Sequence, residues 1–322
     1  MNDRTNRLST GEPGLLCGQT LARAEEAHGP MNRLEHLTHA EDGRTWPRAG
    51  AAAALLIALV AFFFAIPSAA DGPRTTLQAS QANAVRPIRA LYVTGGGFHD
   101  FAKMETIVPP AIAKRVKVDW TIDHTAGKST EALIERHRNT DWTKDFDVVL
   151  YNMSFSYVVD VEWIERLAHA HRDSGVGAVI LHGAVHSYRR SESKAWGELM
   201  GAFSMRHDAQ RPLTVEPVAK GHPILHGMPE KWQITPEELY ELERVWPNMT
   251  PLADAYSVES KKRYPIIWTN THGKAKVFVT SLGHNTEMMA DPLYLDLVTR
   301  GLLWTAGRLK DDGTPAAGYS AR

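Results

Sequence analysis

The chain has 322 residues, and its 36 basic and 37 acidic side chains leave a formal net charge of −1. The two signs are interspersed and no Lys/Arg block occurs, which argues against nucleic acid as a partner, because a phosphate backbone is met by clustered positive charge. The single cysteine is Cys17, so everything beyond it lacks disulfides, a thiol nucleophile and thiolate metal ligands.

The first distinctive segment is Ala49–Ala70, which contains no charged residue. Its run Ala51–Phe64 is apolar on every side and so cannot be an amphipathic surface helix. Arg44 and Arg48 precede it, and Pro67-Ser68-Ala69-Ala70 follows. Basic start, apolar middle and small-residue exit form the pattern of a secretory signal. The expectation is export to the periplasm or beyond, with cleavage before Asp71. The alternative is an uncleaved membrane anchor over residues 49–70, since a span needs roughly 20 apolar residues. A membrane is a partner only in that case. Translation from Met31 gives a signal of more ordinary length. Residues 1–70 are thus extension and signal, and 71–86 a polar, flexible lead-in. Residues 87–309 form one domain of ordinary size, and 310–322 a flexible tail.

Within the domain, Ile88–Thr94, Phe146–Asn152 and Gly177–Leu181 are short apolar runs, two of them stopped by glycine. Such runs suit strands of a parallel sheet buried on both faces. Val116–Ile122 is a fourth strand. A helix is predicted over Val161–His171 with Asp160 as its N-cap, and another capped by Ser193 that carries Trp196, Leu199, Met200 and Phe203. The last helix is capped by Asp291, has Pro292 in its first turn and stops at Gly307. Leu213–Val218, Met249–Tyr256, Tyr264–Thr269 and Ala275–Leu282 are further strands, the last two joined by a hairpin at Asn270–Lys274. The fold class is α/β: a flavodoxin-like, doubly wound, mainly parallel sheet with antiparallel C-terminal additions.

Ligands of open parallel sheets bind beyond the carboxyl ends of the strands. Three such ends pair glycine with histidine: Gly95-Gly96-Gly97-Phe98-His99-Asp100, His182-Gly183 and Gly283-His284. With 15 histidines in the chain, one such pair carries little weight; of three, at least two are expected to share a site. The triple glycine has neither dinucleotide-fingerprint spacing nor a following Gly-Lys-Ser/Thr. His222-Pro223 reads as a structural turn, Trp268 and Trp304 as packing, and Asp147 as a strand-edge cap. His124, near a predicted strand end, is unassigned. His186-Ser187 would be a nucleophile–base pair only if adjacent side chains faced each other.

These blocks, with Phe203-Ser204-Met205-Arg206-His207, His222-Pro223-Ile224, Glu237-Glu238-Leu239-Tyr240 and Gly273-Lys274 followed by Val277–His284, resemble in order and spacing the ThuA-like (trehalose-utilisation) family over Pro87–Gly307. That family is similar in fold to class I glutamine amidotransferases. The strand-to-helix elbow that carries the amidotransferase cysteine holds His182-Gly183 here, which excludes glutamine hydrolysis by that mechanism. The resemblance implies carbohydrate catabolism, of trehalose or related disaccharides through keto-sugar intermediates, with a small sugar as the partner molecule.

The site residues expected are His182, His284, Asp100 and Glu238 for catalysis, and Gly96, Gly97, His99, Tyr188 and Tyr240 for substrate. Two chemistries use this set. In one, His99, His182, His207 and His284 hold a divalent metal, zinc or manganese, with a position open to water. In the other, histidine works as general acid or base, oriented by Asp100 or Glu238. No H-E-x-x-H spacing occurs, so a metal site would be assembled from distant loops. A non-catalytic module that binds a sugar or a protein is the alternative function.

Overall fold

A computed structural model describes residues 85–321 of the chain. The signal or anchor segment, and all but the end of the lead-in, lie outside the described residues. None of the described helices is long and apolar enough to cross a membrane.

The chain runs β1 (Ile88–Gly96), α1 (Phe101–Ala113), β2 (Val118–Thr125), β3 (Val148–Ser154), α2 (Val161–Ser174), β4 (Gly177–Leu181), α3 (Ala195–Met200), β5 (Ala202–His207), β6 (Arg211–Pro217), β7 (Trp232–Glu237), β8 (Tyr240–Val245), β9 (Thr250–Tyr256), β10 (Arg263–His272), β11 (Ala275–Thr280), α4 (Thr286–Ala290) and α5 (Pro292–Thr305). The large sheet has the order β2-β1-β3-β4-β11-β10-β9-β6-β7. Its first five strands are all parallel, in the 2-1-3-4-5 order of a flavodoxin-like sheet. From β10 onward the pairing is antiparallel. Strands β5 and β8 make a separate antiparallel pair. The α/β expectation holds, with the antiparallel addition larger than the sequence pattern indicated.

Alternate residues of β1 feed two cores, as the twofold period of a strand requires. Ile88, Ala90 and Tyr92 pack with Phe101, Met104 and Val108 of α1 and Tyr294, Leu297 and Val298 of α5. Leu91 and Val93 face the other side, with Trp163, Ile164 and Leu167 of α2 and Trp196 and Leu199 of α3. All of β3 is buried, which is why it reads as an unbroken apolar run.

The helix caps follow local chemistry. Asp160 accepts from the Trp163 amide at 3.0 Å and Asp291 from the Tyr294 amide at 2.9 Å, each satisfying an N–H the first turn leaves orphaned. The helix expected to run from Ser193 to Phe203 is shorter. Ser193 accepts from the Ala195 amide, Lys194 holds the cap position, and the helix ends at Met200 because Gly201 turns left-handed at φ 81°. Phe203 therefore lies on β5. The predicted tail is not free either. The Lys117 amide donates to the Tyr319 carbonyl at 2.8 Å, the Ala321 amide to Arg115 at 3.0 Å, and Arg308 Nε to the Tyr319 hydroxyl at 2.8 Å. Tyr319 packs against the core, and its ring and backbone bonds together fasten a segment whose composition reads as flexible. At the start of the domain, Asp147 is held by Arg86 and Arg89 and accepts the Arg89 amide.

Gly96, at the end of β1, shows why the triple glycine is there. Its φ is 103°, and a Cβ would stand 2.2 Å from the Ser154 carbonyl oxygen at the end of β3. Gly96→Ala is expected to destabilise by about 2–4 kcal/mol, from backbone strain plus a clash with rigid backbone. Gly127 also has a left-handed φ, 86°, yet nothing lies within 4 Å of its Cβ position. Gly127→Ala should therefore cost about 1–2 kcal/mol from strain alone. Denaturant midpoints of the two variants check this; equal losses would refute the steric argument.

Candidate functional site

Three loops at the carboxyl ends of β1, β4 and β11 bring His99, His182 and His284 together. The ring centroids are 4.8, 5.0 and 5.2 Å apart, and each pair of planes crosses at 81–83°. One ring nitrogen from each can be chosen so that all three lie within 4.8 Å of one another. The strand-terminal Gly/His pairs, of which at least two are expected to share a site, all three converge.

Each imidazole is placed by its surroundings. His182 follows β4 directly with φ 38°, a left-handed conformation at a sharp strand-to-turn elbow. Its Nδ1 donates to the Ser281 carbonyl at 2.7 Å, because only a protonated ring nitrogen can pair with a carbonyl. That leaves Nε2 facing the cluster. His99 donates from Nδ1 to the His284 carbonyl at 3.2 Å, with the same result. Gly183 lets His99 in: a Cβ there would meet its Cδ2 and Nε2 at 3.2 Å. His284 is set from behind by Glu237, whose Oε1 accepts the Gly283 and His284 amides, each at 3.0 Å. The His284 Nε2 meets the Gln210 side-chain amide at 2.8 Å.

Glu238 stands in front of the cluster. Its Oε2 is 3.6 Å from His182 Nε2, 3.4 Å from His284 Nδ1 and 3.6 Å from His207 Nε2. The His207 Nδ1 is committed to the Asp208 carbonyl at 2.9 Å, so its Nε2 is the atom turned to Glu238. Burial alone would raise the Glu238 carboxyl, but the His284 hydrogen bond and the surrounding imidazoles outweigh it and hold the group ionised. His284 is raised in turn by its bond to Glu238. Burial lowers His99 to about 4 and His182 well below its ordinary value; the neighbouring His284 adds to the first and His99 to the second. Both are neutral rings at neutral pH. Burial pushes Glu237 up to about 7 against the pull of its two amide donors.

His99, His207, Glu238 and His284 line a cavity of about 130 Å³ with Phe98, Ser154, Ser156, His186, Arg189 and Tyr240. A groove of about 550 Å³ adjoins it and shares Phe98 and His99, with Asp100, His124 and Lys128 along its walls. Phe98 is 69 % exposed with φ 75°, a large apolar ring held out where the two spaces meet.

The family model for ThuA, trehalose utilisation, matches residues 81–305. The chain belongs to the ThuA family. A ThuA-like protein from Parabacteroides merdae is 21% identical and superposes with a TM-score of 0.55, covering 74% of this chain and 98% of its own. A second, from Bacteroides uniformis, is 14% identical with a TM-score of 0.54, covering 71% of this chain and 96% of its own. At these identities the likeness is one of fold. A comparison with curated proteins returns no match.

Of the ThuA-family residues singled out from sequence, His99, His182, His207, His284, Glu238 and Tyr240 meet in one place, and the others do not. Asp100 caps α1, accepting from the Lys103 amide at 3.1 Å; it is spent on the helix and lines the groove rather than the cluster. Gly96 and Gly97 admit neighbouring chain, Ser154 and Thr130 respectively, and so serve packing before ligand. Tyr188 is 4 % exposed and packs edge-on against Trp196, away from the cavity. Tyr240 lines the cavity but is 2 % exposed: one face is stacked on His186 at 3.7 Å and His207 stands at its flank, 5.6 Å away, so the buried ring offers no face to a sugar. Its hydroxyl instead reaches His182 Nε2 at 3.3 Å. His207 sits outside the three-histidine cluster, reaching it only through Glu238.

His186 and Ser187 do not form a pair. His186 Nε2 meets Ser204 Oγ at 2.9 Å while Ser187 Oγ accepts the Phe155 amide at 3.1 Å. His124 pairs with Glu105. Trp268 is fully buried, its Nε1 donating to the Met200 carbonyl at 2.7 Å, and the His222 ring accepts the Ile224 amide at 3.3 Å; both are structural, as expected. Sequence reading missed Arg189, which lines the cavity, and Glu237 and Gln210, which hold His284 from outside it. Glu237 had a signal, adjacency to Glu238 at a strand end. Gln210 and Arg189 had none, since each reaches the site from a loop with no pattern of its own.

Proposed function

We propose that this ThuA-family protein is an exported enzyme of trehalose utilisation that works on a disaccharide or its oxidised keto form by proton transfer through Glu238. The observation that carries the reading is the ionised Glu238 carboxylate held 3.4–3.6 Å from ring nitrogens of His182, His207 and His284. A carboxylate beside the exchangeable nitrogens of His207 and His284 on a cavity wall is a general-base arrangement. Hydrolysis begins with a proton taken from water, elimination from a keto sugar with one taken from the carbon beside the carbonyl, and Glu238 suits either. His207 Nε2 is the adjacent atom to carry the proton onward. Arg189, whose Nη1 donates to His186 Nδ1 at 2.9 Å and to the Met205 carbonyl at 2.8 Å, supplies the cavity's one guanidinium, able to stabilise negative charge on a sugar oxygen.

Pockets that enclose drug-sized ligands measure about 300–1,000 Å³. The cavity, at about 130 Å³, takes the reacting end of the sugar, and the groove, at about 550 Å³, takes the rest. Exposed Phe98 between them suits the CH face of a sugar ring. Export rests on the charge-free segment at residues 49–70 and its small-residue exit; an N-terminus at Asp71 in protein recovered outside the cytoplasm is the expected result, and a chain that keeps residues 49–70 would favour the anchor.

Purified protein incubated with trehalose and with its keto derivatives, followed by chromatography of the products, tests the activity. Consumption of at least one is expected. Saturable binding of these sugars with no turnover of any would replace the enzyme by a sugar-binding module.

A further inference from the structure

From the geometry of the three imidazoles we propose that His99, His182 and His284 form a binding site for one divalent transition-metal ion, zinc by preference, whatever sugar the protein acts on. Ring size and a metal–nitrogen bond of about 2.0–2.1 Å place the centroids of three histidines on a tetrahedral zinc about 5.2 Å apart and their ligating nitrogens about 3.3 Å apart. The observed centroids lie at 4.8, 5.0 and 5.2 Å with near-perpendicular planes. His182 Nε2 and His284 Nδ1 are 3.3 Å apart, and the three nitrogens together lie within 4.8 Å, so His99 has to close by up to about 1.5 Å on a bound ion.

The surroundings fit as well as the rings. Metal-binding histidines almost always donate their second nitrogen to a carbonyl or carboxylate, which fixes the tautomer and turns the lone pair inward. His182 does this through Ser281 and His99 through the carbonyl of His284. For His284 the partner is Gln210, 2.8 Å from Nε2; a side-chain amide presents its oxygen there by a simple flip, and Nδ1, which bonds Glu238 in the metal-free protein, exchanges that bond for the ion. Backbone carbonyls hold two of the three rings, so the cluster is fixed by chain geometry, and Gly183 is the residue that leaves room for His99. All three donors are imidazole nitrogen, a set that suits zinc, copper and nickel better than magnesium, calcium or manganese. The fourth direction opens on the cavity where Glu238 stands. A bound ion there would lower the pKa of its water or polarise a sugar carbonyl oxygen, next to the carboxylate able to accept the proton. The manganese alternative is thereby set aside, and His207 is removed from the ligand set.

The test uses the full chain purified without chelator, the metal alone and no sugar. One equivalent of zinc per chain is expected by elemental analysis, and cobalt substitution should give the visible absorption of a tetrahedral ion. His182→Ala, His284→Ala and His99→Ala should each weaken zinc binding by at least about 100-fold, while His207→Ala leaves it within a few-fold of wild type. X-ray absorption of the wild-type zinc protein covers the case in which a variant does not fold: three imidazole shells support the assignment. Sub-stoichiometric metal after zinc addition, fewer than two imidazoles at the ion, or unchanged affinity in the three folded variants overturns it. Because no turnover is measured, failure here leaves the sugar reading standing, and failure of the sugar reading leaves the metal site standing.

Discussion

Glu238→Gln is expected to lower kcat on the responsive sugar by about 10²–10⁴-fold, the usual size of a general acid–base contribution. The substitution keeps the side chain's shape and removes only its charge. Glu238 is not in the apolar core, so the fold should survive, and far-UV circular dichroism and the denaturation midpoint should match wild type. If binding depends on the groove and on Phe98, KM should change little while kcat collapses, which marks loss of an interaction made in the transition state. Glu237→Gln is the informative comparison. Glu237 touches no cavity space but accepts the amides of Gly283 and His284, so its loss should show as reduced stability and a partial loss of rate. A Glu238→Gln enzyme with wild-type kcat would dismiss Glu238 as the base.

Acid should weaken this fold through buried histidines far from the site, and His137→Leu should relieve part of the effect. His137 is 2 % exposed, caged by Trp142, Tyr151 and Trp163, and neither ring nitrogen has a hydrogen-bond partner. Burial, then the nearby His171 and Arg136, lower its pKa to about 3. His171 is fully buried, accepting from the Tyr151 hydroxyl at 2.8 Å and donating to the Val176 carbonyl at 2.7 Å; burial lowers it to about 4. The sign follows from linkage. Each folded-state pKa lies below the unfolded value of about 6.5, so the unfolded chain binds more protons in between. The stability these groups contribute is complete above that value and is lost as pH falls toward 4 and 3. Between pH 7.5 and 5 each accounts for a loss on the order of 2 kcal/mol, from about 1.36 kcal/mol per pH unit below 6.5.

Leucine has nearly the volume of histidine and nothing to protonate or leave unpaired. Urea titrations at pH 7.5 and 5 should show His137→Leu at least as stable as wild type at the higher pH. It should lose about 2 kcal/mol less than wild type at the lower pH, by the same linkage. Equal losses in the two proteins would mean His137 does not titrate as its burial requires. The site histidines also titrate, but they are common to both proteins and cancel in the difference.

Local chemistry made much of this protein readable before any coordinates. The parallel strands announced themselves as apolar runs because β1, β3 and β4 are covered on both faces. Asp160 and Asp291 announced helix starts because a cap depends on a bond three residues away. His99, His182 and His284 could be grouped because parallel strands deliver their carboxyl ends to one edge. Helix α1 was not readable, since Pro109 and Pro110 within it signal a break in sequence while burial holds them in place. Strands β5, β7 and β8 were missed because they are short and alternate irregularly around bulges.

The sequence by itself determined the fold class, the family and the three histidine loops, all of which depend on residues near one another or on a topological rule. Tertiary structure alone decided what each polar side chain does. Asp100 faces its own helix, Tyr188 faces Trp196, and Tyr240 is buried with one face stacked on His186. Glu237, Gln210 and Arg189 come to the site from distant parts of the chain. A side chain's partners across the sheet edge are set by how loops pack, and no spacing along the chain encodes that packing.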